Sequence, residues 1–216
     1  MQAVLLDFNG TMIFDSSLHL EAWSKIYREL HPESEESASA KQFCGPRNNV
    51  ILKNIAPWLT DAECDQYSAR KEAMYRQACI DSPGKVRLVP GLEDFLNMLQ
   101  QRGIPFGLAS ASIKDNIDFF YETYALGRWF RKEDIVFDDG TYADKGAMHL
   151  EAARRLNVAL SDCLVIEDSP SSIRHARENG AGCVVAITGD SGATEDTCPG
   201  ADHYIQDFTG FDMNWL

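Results

Sequence analysis

Across its 216 residues the sequence has no apolar run approaching the roughly 18 residues that a membrane-spanning helix needs. It begins without a basic leader and cleavage site, so the expectation is a cytoplasmic protein with no membrane partner. Cysteine pairs at C-x-x-C spacing are also missing. The six cysteines (Cys44, Cys64, Cys79, Cys163, Cys183 and Cys198) are scattered, which argues against a zinc site or a disulfide scaffold and for reduced, mostly structural thiols. Positive charge is scarce: 20 Lys and Arg stand against 33 Asp and Glu, a formal net charge of −13. Nucleic-acid binding rests on cations that neutralise phosphates, so no nucleic-acid partner is expected. A phosphorylated ligand would have to be held locally, by a metal ion, a helix N-terminus or a few placed cations. There is no internal repeat and no low-complexity segment. With 44% hydrophobic and 25% charged residues, the chain reads as an ordinary globular protein of one or two domains, expected to be a monomer.

Six short segments read as buried strands: 4–8, 105–109, 135–137, 163–167, 183–186 and 203–205. The clearest are nearly continuous in apolar residues, as expected where both faces of a parallel sheet are covered. Amphipathic helical patterns separate them, such as "LEDFLNMLQQRG", with Leu92, Phe95, Leu96 and Leu99 on one face and Gly103 at its end. Strand alternating with helix predicts a doubly wound, mostly parallel α/β sheet of Rossmann-like type. The alternation breaks between about residues 18 and 80, where "LHLEAWSKIYREL", "NNVILKNIAPWL" and "DAECDQYSARKEAMYRQACI" are helical one after another. The division expected is therefore a core domain of residues 1–14 and 82–216 and an inserted helical domain of residues 15–81.

In an open parallel sheet, ligands gather at the carboxyl ends of the strands. The first strand ends in "DFNGT", residues 7–11; the second in "LASAS", residues 108–112; Lys145 follows the third after a loop; and Glu167 and Asp168 end the fourth. Each residue also has a plainer reading. Ser110 and Ser112 can cap the next helix. Lys145 can be a solvated cation. Glu167 and Asp168 can complement the dipole of a helix that starts with Ser169 as N-cap and Pro170 at its first position. Convergence at four strand ends is what those separate readings leave unexplained.

With these residues in place, the chain resembles the haloacid dehalogenase superfamily, in its branch of phosphatases and beta-phosphoglucomutase-like enzymes with a helical cap. "DFNGT", "LASAS", the Lys145 of "DKGAMHLEAARRL" and "VIEDSPSSIRHARENGA" are similar to that family's four motifs in order, over nearly the whole chain. The resemblance implies a phosphomonoester hydrolase acting on a small phosphorylated metabolite or sugar phosphate. It assigns Asp7 as the nucleophile that forms an aspartyl phosphate. It implies Mg²⁺ on Asp7, the backbone carbonyl of Asn9, Glu167 and Asp168, an all-oxygen set that suits a hard ion. Phosphoryl oxygens would be held by Ser110, Lys145 and the amides near Gly10, Thr11 and Ala111. His19, Arg47 and Lys71 resemble substrate-facing cap positions, and closure of the cap would exclude water.

Two departures matter. The family's first motif has a second Asp, which serves as general acid and then general base, where this chain has Asn9. An amide cannot shuttle a proton, and loss of acid–base catalysis typically costs about 10²–10⁴-fold. Asp15, His19 or substrate-bound water can stand in for it, although Asp15 also reads as a helix cap with Ser16 and Ser17. Otherwise the protein is a slow enzyme, a phospholigand-binding protein or a phosphosugar mutase, the last disfavoured because it needs proton transfer in both directions. Phosphonoacetaldehyde hydrolases also lack the second Asp, but they need a cap lysine shortly after a glycine such as Gly45, where Arg47 and Asn48 stand here; Lys53 reads as a surface helix residue. Metal-independent dehalogenases are opposed by the Glu167–Asp168 pair. The second departure is Gly146, where the branch usually has a proline after the lysine.

Overall fold

The apolar runs become strands and the amphipathic stretches become the helices that cover them. The structure is a computed structural model that describes residues 1–33, 43, 47–82, 84, 86–190, 192 and 194–216. The order is β1 (Ala3–Leu6), α1 (Ser16–Leu30), α2 (Asn48–Ile55), α3 (Asp61–Asp81), α4 (Leu92–Arg102), β2 (Phe106–Ser110), α5 (Lys114–Thr123), β3 (Val136–Phe137), α6 (Lys145–Arg155), β4 (Cys163–Glu167), α7 (Pro170–Glu178), β5 (Cys183–Ile187) and β6 (His203–Ile205), with short 3-10 turns between some of them. Cys44 and Gly45 lie outside the described residues. No described helix is long and apolar enough to cross a membrane.

The six strands form one sheet in the order β3-β2-β1-β4-β5-β6. Every pairing is parallel, and helices cover both sides. Alternate side chains follow the pleat. Ala3 and Leu5 of β1, Cys163 and Val165 of β4, and Val184 and Ala186 of β5 share one core cluster with Met148, Ala152 and Ala153 of α6 and Ile173 and Ala176 of α7. The chain runs from β1 outward to β3, then returns to place β4 on the other side of β1. That reversal opens a crevice at the carboxyl ends of the central strands. Register brings those ends level, because Leu6 lies opposite both Leu108 and Ile166. Asp7, Ala109 and Glu167 therefore stand level with one another at the carboxyl ends of the three central strands.

The chain divides into two compact units, residues Met1–Phe14 with Arg87–Leu216, and residues Asp15–Val86. The second is built on α1, α2 and α3, whose core includes Trp23, Ile26, Ile51, Leu52, Ala56, Leu59 and Cys64. The helical reading of 48–59 is too long by one turn. α2 stops at Ile55, and Ala56 leaves helical geometry (φ −144°) because it precedes Pro57. The five described cysteines are free and buried, and burial pushes the thiols of Cys79, Cys163, Cys183 and Cys198 up to about 11, away from reactivity.

Leu5 is fully buried at the centre of the main cluster. Leu5→Ala is expected to lower stability by about 2–5 kcal/mol through lost burial and a cavity, as read by urea denaturation.

Candidate functional site at the carboxyl edge of the sheet

Asp7 is the first residue past β1, and its amide donates to the Ile166 carbonyl (3.1 Å). The chain then folds back at once: the amides of Thr11 and Met12 donate to the Phe8 carbonyl at 3.2 and 2.7 Å. Position 10 must be glycine for two reasons. Its φ is +72°, and a Cβ there would run into the carboxylate of Asp168. The first and fourth motifs thus touch through a missing side chain. Thr11 is fully buried, and its hydroxyl has no hydrogen-bond partner among the described residues.

Lys145 opens α6. Asp144 precedes it as N-cap, its carboxylate accepting from the Ala147 amide at 3.0 Å. The side chain is buried, which overturns the reading of Lys145 as a solvated cation. Its ammonium hydrogen-bonds Asp7 Oδ1 and lies 3.3 Å from Glu167 Oε1. Gly146 has a packing reason: a Cβ there would collide with the Asn179 side chain at the end of α7.

Glu167 is completely buried. Its Oε1 pairs with His149 Nε2 at 2.8 Å; its Oε2 has no partner among the described residues. His149 is absent from the sequence reading, although it stands one helical turn after Lys145 on the same face of α6, a spacing that would have found it. Burial pushes the Asp7 carboxyl up to about 7, against the pull of the Lys145 ammonium and with a further push from Glu167. Glu167 goes the other way: burial acts to raise it, but Lys145 and His149 outweigh burial and leave it below the ordinary range. Burial alone would push Lys145 down, yet Asp7 and Glu167 hold it above its usual value. Two carboxylates compete for one cation, which bonds Asp7 and lies farther from Glu167.

Asp7, Glu167 and the half-buried Asp168 each offer an oxygen, and these oxygens lie within 4.8 Å of one another. Were all three carboxylates ionised, they would exceed the one ammonium by two negative charges (3 − 1 = 2); burial and then Glu167 push Asp7 up against that state. A divalent cation would neutralise that excess and satisfy Glu167 Oε2, so the donor set fits Mg²⁺.

The end of β2 completes this edge. Ser110 is buried, its hydroxyl accepting from the Ser112 amide (3.2 Å), while the Ser112 hydroxyl donates to Asn9 Oδ1 (2.7 Å). Neither serine caps α5, whose N-cap is Ile113 with no side-chain bond. Ala111 is exposed between them.

The second unit has a separate polar cluster. His19 Nδ1 accepts from the Lys71 ammonium (2.7 Å), and its Nε2 lies 3.2 Å from Asp15 Oδ2. The imidazole stacks on Tyr75 (centroids 3.8 Å apart), and the Tyr75 hydroxyl donates to Asp15. Asp15 is the N-cap residue of α1, as its reading as a cap has it, but its side chain makes no capping bond; its carboxylate is buried and used by Tyr75 and His19 instead. Lys71 is only 3% exposed and pairs with Glu72 at 2.9 Å, which overturns its reading as a solvated cation. Lys53, by contrast, is a half-exposed helix residue paired with Asp61, as its surface reading has it. Arg47 is exposed at the N-cap of α2, and the next residue, Asn48, joins this cluster, its amide donating to Glu72 at 2.7 Å. Sequence reasoning missed Asn48, Glu72 and Tyr75, although Lys71 and Tyr75 share a helix face.

Two tests follow from these charges. Lys145→Met leaves two buried carboxylates without their cation, and a loss of about 3–5 kcal/mol is expected in denaturation with chelator, partly recovered by added Mg²⁺. Glu72 is pushed up by burial but pulled further down by Lys71, His19 and Asn48, so its carboxyl lies below the ordinary 4.5. Its contribution is present above pH 4.5 and lost as pH falls below it. Thermal melts of Glu72→Gln should therefore show a smaller acid-induced drop in Tm than wild type.

The model of the haloacid dehalogenase-like hydrolases matches residues 1–180. Validoxylamine A 7'-phosphate phosphatase of Streptomyces hygroscopicus subsp. limoneus is 26% identical over 99% of this chain and 96% of its own. Beta-phosphoglucomutase of Bacillus subtilis is 27% identical over 83% of this chain and 80% of its own. Among solved structures, a family IA, variant 3 hydrolase of Entamoeba histolytica superposes with a TM-score of 0.90 at 29% identity, covering 99% of this chain and 96% of that one. A parallel sheet with carboxylates and one lysine gathered at its carboxyl edge, and a family match over most of the sequence, agree: the chain belongs to the haloacid dehalogenase-like hydrolases.

Proposed function

We propose that this hydrolase removes phosphoryl groups from a small phosphorylated metabolite by way of an aspartyl phosphate on Asp7, with sugar phosphates as the first candidates. The observation that carries the reading is the buried Asp7 carboxylate, bonded to Lys145, with Glu167 and Asp168 oxygens within 4.8 Å. The Asp7 carboxylate attacks phosphorus as the bond from phosphorus to the leaving oxygen breaks. Water then attacks the phosphorus of the acyl phosphate, returning the carboxylate and inorganic phosphate. Lys145 holds a phosphoryl oxygen while keeping Asp7 aligned, and Ser110, the Thr11 hydroxyl and the amides of Gly10, Thr11 and Ala111 are the other donors assigned to that group. Mg²⁺ would be held by Asp7, the Asn9 carbonyl, Glu167 and Asp168, and when bound it supplies charge neutralisation at the phosphoryl group. His149 fixes the orientation of Glu167.

His19 and Lys71 are proposed as substrate contacts on the strength of their chemistry, a cation and an imidazole held together in one cluster; Arg47 is proposed on its charge alone. A cytoplasmic monomer without nucleic-acid or membrane partners remains the reading that composition supports. A mutase, the activity in the name of the Bacillus subtilis relative, is the second choice because Asn9 removes the proton carrier it needs in both directions. A phospholigand-binding protein with little turnover is the reading that Asn9 itself favours.

The test is phosphate release with Mg²⁺ from a panel of sugar phosphates and p-nitrophenyl phosphate. Asp7→Asn should lower the rate by at least about 10³-fold. Equal release by wild type and Asp7→Asn removes Asp7 from the role.

A further inference from the structure

Asn9 and Ser112 together restrict which leaving groups this site can expel. The Ser112 hydroxyl donates to Asn9 Oδ1 at 2.7 Å. With its oxygen so engaged, the amide can offer the leaving oxygen N–H hydrogen bonds but no proton. Among the described residues the other proton-bearing groups assigned to this edge are committed elsewhere, and in the second unit Asp15 and His19, the stand-ins the sequence offers, are held by each other, by Tyr75 and by Lys71. The Lys145 ammonium is bonded to Asp7 and close to Glu167, and the His149 imidazole is buried against Glu167. Ser110 and Thr11 are neutral alcohols, poor acids at any ordinary pH.

Resting on the reading of Asp7 as nucleophile, we propose that the preferred substrates are phosphates whose leaving oxygen departs as a stable anion: acyl phosphates first, phosphoanhydrides next, simple alkyl phosphates last. In the first step the oxygen–phosphorus bond of the substrate breaks, its electron pair leaves on that oxygen, and the new bond joins phosphorus to an Asp7 oxygen. A departing carboxylate, whose conjugate acid has a pKa of about 4, needs no proton. A phenolate, at about 10, needs one only partly. An alkoxide, comparable to hydroxide with water at about 15.7, needs one in the transition state. That ordering turns the missing acid from a general handicap into a selectivity. The same absence falls on the second step. The attacking water must lose a proton without Asn9 as base, so breakdown of the aspartyl phosphate becomes the slow step for every activated substrate.

The experiment measures kcat/KM and kcat with Mg²⁺ for acetyl phosphate, a series of substituted phenyl phosphates and glycerol 3-phosphate, on wild type, Asp7→Asn and Asn9→Asp. For wild type, kcat/KM should fall steeply as the leaving-group pKa rises, with acetyl phosphate favoured over glycerol 3-phosphate by more than about 10²-fold. Across the activated substrates kcat should be constant, with a burst of leaving group in the first turnover. Asn9→Asp should raise glycerol 3-phosphate turnover by about 10²–10⁴-fold and acetyl phosphate kcat/KM much less, flattening the series. Asp7-dependent turnover with a flat series in wild type overturns the inference and means that another group delivers the proton, while the nucleophile assignment stands. Turnover that survives Asp7→Asn overturns that assignment instead. The wild-type series decides the question even if Asn9→Asp does not fold.

Discussion

Two buried carboxylates and one buried ammonium share the carboxyl edge of the sheet, and much of the surrounding structure keeps them there. Lys145 would be costly to bury alone, as would Asp7 or Glu167; together they are tolerable, and still short of positive charge. The helix start at Asp144 delivers the lysine, the glycine at position 10 lets Asp168 approach, and His149 takes one oxygen of Glu167. An arrangement that is under-neutralised without ligand is suited to a divalent cation followed by a phosphate.

The fold was largely legible because its signals are local. Strands two to five residues long announced themselves, the clearest by nearly continuous apolar runs, and the helices by their spacing; the length of α2 was misjudged only where Pro57 acts on the residue before it. The motif positions were legible too, since the carboxyl ends of strands are where ligands bind in such sheets. The state of each side chain was not. Lys145 is 138 residues from the Asp7 it pairs with, and nothing within a few residues of it indicates burial. Asp15 keeps the N-cap position that its local reading gave it, but its carboxylate goes to Tyr75, 60 residues away, instead of to the helix. Long-range pairing overrode local propensity in both cases. His149 is the instructive miss, because its helical spacing from Lys145 was visible and went unused.

Asn9 links the site's geometry to its chemistry. On the proposed reading its backbone carbonyl serves the metal, while its side chain is bonded to Ser112 and carries no titratable proton. On that reading the substitution leaves Asp7, Lys145 and the acidic pair in place and removes proton transfer alone, which would suit the protein to phosphoryl groups that leave without help and to an intermediate that outlives the step that forms it.

That intermediate is the most direct object to look for. Wild-type protein mixed with acetyl phosphate and Mg²⁺, quenched in acid within the first turnover and mapped by peptide mass spectrometry, should carry its phosphoryl group on Asp7. A phosphoryl group on another residue, or phosphate release with no labelled peptide at any time, would contradict the account.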